Sequence, residues 1–468
     1  MRTTPLVLIA LLTAGLLLTL HLLQATPSQT AQAETKSLEE AACLKPTELF
    51  QGKTAEQWRA KGAEGLAELI EQMQPSISTY IKGKAHPAFV TPESNEELVK
   101  AQADLLFIDQ VAKQRDAYIS KLYWHTDLDE AIKEAERTDK PILSLRMLGQ
   151  LDEEYSCANS RFFRTVLYAD RDVSQFLREK FVLHWQSVRP VPVITIDMGD
   201  GRTIKRTITG NSAHYVLDTN GRVIDCIPGL YGAATFERLV SDAHEVAQLV
   251  AGMEEKAFTA RMQAWHTQRA AAVDKRWSEI AKPQIEFDAN QLSIAKGKAN
   301  EPVLPDALDA GLVAPGKFAV EARLVDVALL RAPSPQEAAG DDALWQRVAQ
   351  AYANEAKLDT VSKAMMRRKT LTAEEASAVS FGKARVEDPM LAMVRNFESV
   401  IALDTARNEH LLHRQIHDWF VAAKGPLDLD ELNRRVYAEL FLTPDDDPWL
   451  GLVPADTYSA LDGGGLSN

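Results

Sequence analysis

Residues 128–147 read Leu128-Asp129-Glu130-Ala131-Ile132-Lys133-Glu134-Ala135-Glu136-Arg137-Thr138-Asp139-Lys140-Pro141-Ile142-Leu143-Ser144-Leu145-Arg146-Met147. From Leu128 to Arg137 the spacing of Leu128, Ala131, Ile132 and Ala135 puts four apolar groups on one side of a helix. Lys140-Pro141 then opens a strand. Ile142 to Met147 then has the length and apolar character of a buried strand. A helix followed at once by such a strand is the mark of an α/β unit.

The same alternation continues downstream. A loop, Leu148 to Ser156, leads to Cys157, and Arg161–Leu167 and Val173–Glu179 read as helix pieces. Phe181–Trp185 is a second buried strand. Val193–Ile196 and Arg202–Ile208 form a hairpin around Gly199-Asp200-Gly201, and His214–Asp218 and Arg222–Ile227 form another at Asn220-Gly221. Phe236–Val250 closes the unit as a helix. The expected fold class is a central α/β domain over 118–250, a mixed sheet with flanking helices, set between mainly α-helical regions.

Those regions are 34–117 and 251–468. Trp58, Leu66, Leu69 and Ile70 recur at helical intervals within Ala55–Met73, and Leu98, Leu105, Leu106, Ile108 and Val111 within Glu96–Ile119. His86-Pro87 and Thr91-Pro92 mark a loop between them. Met253–Ile280 is a long helix. Lys282–Pro335 is rich in Pro, Ala and Gly and reads as a linker or extended wrap. A helical C-terminal domain, 336–468, follows with helices near 337–357, 372–380, 388–402, 405–422 and 428–441.

With 468 residues, 46% of them hydrophobic, the chain can bury two or three cores. Its net charge of −14 disfavours nucleic acid and anionic lipid as partners. Residues 1–33 have the form of an export signal: Arg2, an apolar run from Pro5 to Leu23, and Ala31-Gln32-Ala33 before Glu34. The expectation is an exported protein, periplasmic or secreted. The alternative is an uncleaved helix anchoring the chain to a membrane. The three cysteines, Cys43, Cys157 and Cys226, are too few for a disulfide scaffold, and the odd number leaves one thiol over.

The central region resembles the thioredoxin-like superfamily, most closely the modules fused to larger proteins, including UAS-type domains. The resemblance rests on Trp124, Asp127-Leu128-Asp129-Glu130-Ala131, Ala135, Lys140-Pro141-Ile142, Cys157-Ala158-Asn159-Ser160, Phe163, Val173, Phe176-Leu177, Phe181-Val182, Tyr215-Val216-Leu217-Asp218, Gly221-Arg222-Val223 and Ile227-Pro228-Gly229. It implies a redox site at Cys157, with Ser160 where family oxidoreductases carry a resolving cysteine. The site is therefore a monothiol, able to form a mixed disulfide with a protein thiol but not an internal one at position 160. Family members also carry a cis-proline before the third core strand, where this chain has Ser212 or a neighbour.

The chemistry behind the pattern is general. A cysteine at a helix N-terminus faces unpaired backbone N–H groups and the positive end of the helix dipole, and both stabilise thiolate. Arg161 and Arg164 would add to that pull, while Asp152, Glu153 and Glu154 oppose it. His184 would serve as a base if it lay near the thiol, or as an ordinary hydrogen-bonded residue at a strand end. An inert Cys157 in a degenerate fold stands beside the redox reading. Cys226, in a core strand, reads as a buried small hydrophobe.

Outside this region the most distinctive run is Asn408-Glu409-His410-Leu411-Leu412-His413-Arg414-Gln415-Ile416-His417, with three of the ten histidines. On a regular helix His410, His413 and His417 fall within about 60° of one another. Such a stripe can bind a transition metal, with Glu409 or an acid from Asp445–Asp447 completing the shell, or it can simply hydrogen-bond neighbouring helices. Trp449 and Leu450 are expected to anchor the tail; a partner-docking loop is the alternative. Three functions follow: thiol-disulfide exchange at Cys157, a non-catalytic protein that binds a partner protein, or a metal-binding protein.

Overall fold

The computed structural model describes residues 45–85, 92–208, 210–295, 345–369 and 389–450. Residues 1–44 hold the expected export signal and Cys43. They lie outside this set, as do the 86–91 loop, most of the expected linker and the expected helix at 372–380.

The N-terminal region folds as α1 (Ala55–Arg59), α2 (Gly62–Gln72), α3 (Gln74–Ala85), α4 (Pro92–Ala112) and α5 (Ala117–Ser120). Thr54 starts α1 with a capping box shared with Gln57. Trp58, Leu66, Leu69, Phe107, Ile108 and Val111 are buried together in a core of their own. Arg59 fastens that core to the sheet by donating to the carbonyls of Val111 at 2.5 Å and Trp124 at 2.9 Å.

The central region contains β1 (Trp124–His125), α6 (Leu128–Thr138), β2 (Ile142–Leu148), α7 (Ala158–Phe162), α8 (Arg171–Lys180), β3 (Val182–Arg189), β4 (Val193–Asp197), β5 (Thr203–Thr207), β6 (Ser212–Leu217), β7 (Val223–Pro228) and α9 (Ala233–Val250). Five strands form one mixed sheet in the order β1-β3-β2-β6-β7. β1, β3 and β2 are parallel, while β6 runs antiparallel to β2 and β7 antiparallel to β6. The expected α/β domain with flanking helices is present at this level.

Local chemistry explains the boundaries. Asp127 caps α6 by accepting the Glu130 N–H at 2.9 Å, and Asp139 ends it in the left-handed conformation. Every residue of β2 is buried, as a strand covered on both faces requires. β3 runs four residues beyond the expected Trp185, because Gln186, Ser187 and Arg189 continue the pairing with the end of β2. At the Asn220-Gly221 turn only Gly221 has positive φ, and Asp218 accepts backbone N–H groups from Asn220 and Arg222.

The β4–β5 ribbon stands apart from the main sheet as a two-stranded sheet of its own. Ile194, Ile196, Met198 and Ile204 are all exposed on it, and Ile196 pairs directly with Ile204.

The C-terminal region follows as α10 (Glu255–Ala295), α11 (Thr360–Lys369), α12 (Pro389–Arg407), α13 (Arg414–Ala422) and α14 (Leu429–Arg435). α10 extends fifteen residues past the expected end at Ile280, into the stretch read as linker. Between α12 and α13 the chain does not break at 402–405 as expected. It continues through a π-helical turn, Asn408–His413, and a second π turn, Val436–Leu440, follows α14. Ile401, Leu412, Ile416, Phe420 and Tyr437 join Leu145, Phe163, Tyr215 and Phe236 in one continuous core, so the sheet and the C-terminal helices share a single interior. Each such side chain contributes roughly 1.5–3 kcal/mol of burial. Among the described residues no helix is long and apolar enough to cross a membrane.

Candidate functional site

Two groups of chemistry-bearing side chains lie in this interior, one at the end of β2 and one behind β7. At the first, Gly149 turns the chain out of β2 with φ 71°, and the loop returns at Cys157. Cys157 is the N-cap of α7: its sulfur accepts the Ser160 N–H at 3.4 Å, and the Ser160 hydroxyl donates back to the Cys157 carbonyl at 3.1 Å. Arg161 N–H closes the turn on the same carbonyl at 3.1 Å. Asn159 donates to the Ser212 hydroxyl at 2.9 Å, which brings the start of β6 against this turn. All described peptide bonds are trans, that of Ser212 included.

The expected electrostatics do not hold. Arg164 is 2% exposed, and its guanidinium donates to the Glu153 and Glu154 carbonyls at 2.7 and 3.0 Å and pairs with Asp116 at 3.9 Å. It braces the acidic loop instead of facing the thiol. The loop is neutralised further by Lys113 on Asp152 and Arg115 on Glu154. Of the charges expected to compete over Cys157, Arg164 and Glu154 pair with each other at 3.8 Å, because burial makes an unpaired charge costly.

His184 is no base for Cys157. It sits opposite Ser144 in the strand register and hydrogen-bonds to that hydroxyl through Nδ1 at 2.8 Å. That is four residues, about 13 Å, back along β2 from the end where the cysteine loop departs. Burial, aided by the nearby Arg146 charge, pushes its pKa down to about 3.

The thiol itself is covered. Cys157 has no exposed surface, and Tyr437, in the π turn after α14, is near enough for the thiol to act on its phenol. The Tyr437 hydroxyl donates to the Asn211 carbonyl at 3.1 Å and reaches the Arg146 carbonyl at 3.5 Å. Burial pushes the Tyr437 phenol up, with the Cys157 thiol the next contributor. Asn211 also donates to the Thr443 hydroxyl at 3.0 Å, and Arg189 donates to the carbonyls of Thr443, Pro444 and Asp447. The segment 437–447 therefore closes the end of the sheet where β2, β3 and β6 meet. Of the two expected tail anchors, Leu450 is buried and Trp449 is 39% exposed. Cys157 and Cys226 are not joined to each other by a disulfide, and burial pushes Cys226 well above the usual thiol range.

The second group corrects the expected histidine stripe. The π turn at 408–413 adds a residue to the helical repeat, so His410 no longer shares a side with His413 and His417. His410 instead bonds the Tyr352 hydroxyl through Nε2 at 2.7 Å and lies edge-on to Trp277. Glu409 pairs with Arg238 at 2.8 Å and Arg276 at 3.7 Å and so does not complete the shell.

His413 and His417 are joined instead by Asp225 of β7 and His266 of α10. Ligand atoms from Asp225, His413 and His417 lie within 4.8 Å of one another. His413 Nε2 is 3.1 and 3.0 Å from the two Asp225 oxygens. The carboxylate only accepts, so this nitrogen carries the proton. His266 Nε2 faces the Ile224 carbonyl at 3.0 Å and must donate. Its Nδ1 then accepts from His417 Nδ1 at 2.9 Å.

All four residues are buried. Burial, the largest effect, pushes Asp225 up, but His413, His266 and the Cys226 N–H together outweigh it and leave it below the usual carboxylate range. Burial lowers His266 to about 4 and His417 well below the ordinary imidazole value, so both rings are neutral near pH 7. His413 Nδ1 is buried with no hydrogen-bond partner. Phe420 stacks on His266 at 3.8 Å.

Asp225 and His266 escaped the sequence because they come from distant segments. One signal was there: a carboxylate inside the strand Val223-Ile224-Asp225-Cys226-Ile227, fully buried, requires a partner.

Comparison with protein-family models, with curated proteins and with solved structures returns no match.

Proposed function

We propose that the chain is an exported thioredoxin-like protein that works by binding a partner protein rather than by cycling disulfides. The observation that carries this is the complete burial of Cys157 near Tyr437, with the Asn211 carbonyl already occupied by the Tyr437 hydroxyl. Disulfide exchange requires in-line approach of a second sulfur to an accessible thiolate. Position 160 supplies a serine, whose hydroxyl is bonded to the Cys157 carbonyl.

The thioredoxin-like part of this proposal draws support from the strand order, from Cys157 following β2 and from Ser212 opening β6 beside it. The partner-binding part draws support from the exposed apolar face of the β4–β5 ribbon, since an isolated two-stranded sheet gains stability only from what it packs against.

The test is thiol exchange with oxidised glutathione on the folded protein. Attack by Cys157 thiolate would form a Cys157–glutathione disulfide and release one reduced glutathione. No such adduct on the Cys157 peptide, by mass spectrometry, is expected without denaturant. Adduct formation at the rate of a free thiol overturns the proposal. A second possibility, exchange through a transiently opened cap, is favoured by the Ser160 N–H that already donates to the sulfur. It predicts adduct in a Tyr437→Ala variant that remains folded.

A further inference from the structure

The cluster behind β7 has features that a purely structural hydrogen-bond network does not need. It holds one carboxylate and three imidazoles, all buried, at a junction of β7, α10 and α13. Asp225 takes the Nε2 proton of His413 with both oxygens, which leaves Nδ1 of that ring bare, buried and without a hydrogen-bond partner. His417 lies against it, with ring centroids 4.3 Å apart.

We propose that Asp225, His413 and His417, with His266 as the supporting fourth ring, form a binding site for one divalent transition-metal ion of the zinc class. Imidazole nitrogens with a single carboxylate are the donor set such ions take, and hard cations that demand all-oxygen shells are excluded. Ligand atoms within 4.8 Å of one another need to close by little more than an ångström to surround an ion at about 2.1 Å. His410, bonded to Tyr352, takes no part. Because the site joins a strand of the central sheet to helices more than 180 residues later in the chain, a bound ion would cross-link the sheet to the C-terminal helices.

The test uses the full chain, stripped with a chelator and titrated with zinc alone against a chromophoric competitor, then with cobalt as a spectroscopic probe. One equivalent of zinc should bind, cobalt should show ligand-field bands of a four- or five-coordinate nitrogen–oxygen site, and thermal unfolding should shift upward with zinc. His417→Gln should abolish stoichiometric binding, and His266→Gln should weaken it about 10- to 100-fold. His410→Ala should bind like the parent. Absence of stoichiometric zinc in the folded parent overturns the site, and so does loss of binding in His410→Ala equal to that in His417→Gln. If His417→Gln does not fold, cobalt spectra of the parent decide, since they report nitrogen ligation directly.

Discussion

Acidification should unfold this protein early, and the central sheet shows why. His214 sits in β6 between the rings of Phe163 and Phe236, with Nε2 on the Tyr168 hydroxyl at 2.6 Å and Nδ1 buried without a partner. Burial lowers its pKa to about 3, and His184 is lowered to about 3 as well. In the unfolded chain both titrate near 6.5. A depressed histidine is neutral in the native state while the unfolded chain takes up a proton, so stability is full above pH 6.5 and falls as pH drops towards the native value. At pH 5 each of the two costs roughly 2 kcal/mol relative to pH 7, about 4 kcal/mol together. That is a large share of the 5–15 kcal/mol typical of a folded domain. Urea midpoints at pH 7 and pH 5, followed by circular dichroism, read the effect. His214→Phe should be less stable at pH 7 for loss of the Tyr168 bond, but its stability should fall less steeply, by about 1.4 kcal/mol per pH unit between pH 4 and 6. Equal slopes in parent and variant, or a parent whose midpoint does not move between pH 7 and 5, would refute the reasoning.

Two further outcomes follow from particular contacts. Tyr437→Phe removes the hydroxyl from the buried Asn211 carbonyl and should cost about 1–3 kcal/mol in urea unfolding; an unchanged midpoint would mean that the cap is not held there. The double change Ile196→Lys with Ile204→Lys should leave stability within about 0.5 kcal/mol, because both side chains are exposed, and a loss of several kcal/mol would show that the ribbon face is covered in solution.

Much of the central region was legible because its signals are local. The helical spacing over Leu128–Arg137 and the short, mainly apolar run Ile142–Met147 each act within a few residues, and the helix and strand they predict stand within one residue of their expected bounds. The C-terminal region was harder. A regular 3.6-residue repeat put His410 beside His413, and one π turn undid that placement. The helix α3 carries few apolar residues at regular spacing, and α11, Thr360–Lys369, carries mainly polar ones, so neither announced itself. At the cysteine, the helix-cap position was readable from Cys157 to Ser160, but the cap of Tyr437 and Thr443 was not, since 280 residues of chain separate Tyr437 from the sulfur. Arg164 was assigned to the thiol by nearness in sequence; the fold gave it to the loop carbonyls instead.

The most direct measurement is the alkylation rate of Cys157 as a function of urea, read on its own peptide by mass spectrometry. A sulfur sealed by the 437–447 segment should be modified only as the whole molecule opens, with a rate that rises along the global unfolding curve. Rapid modification in native buffer, independent of urea, would contradict the account.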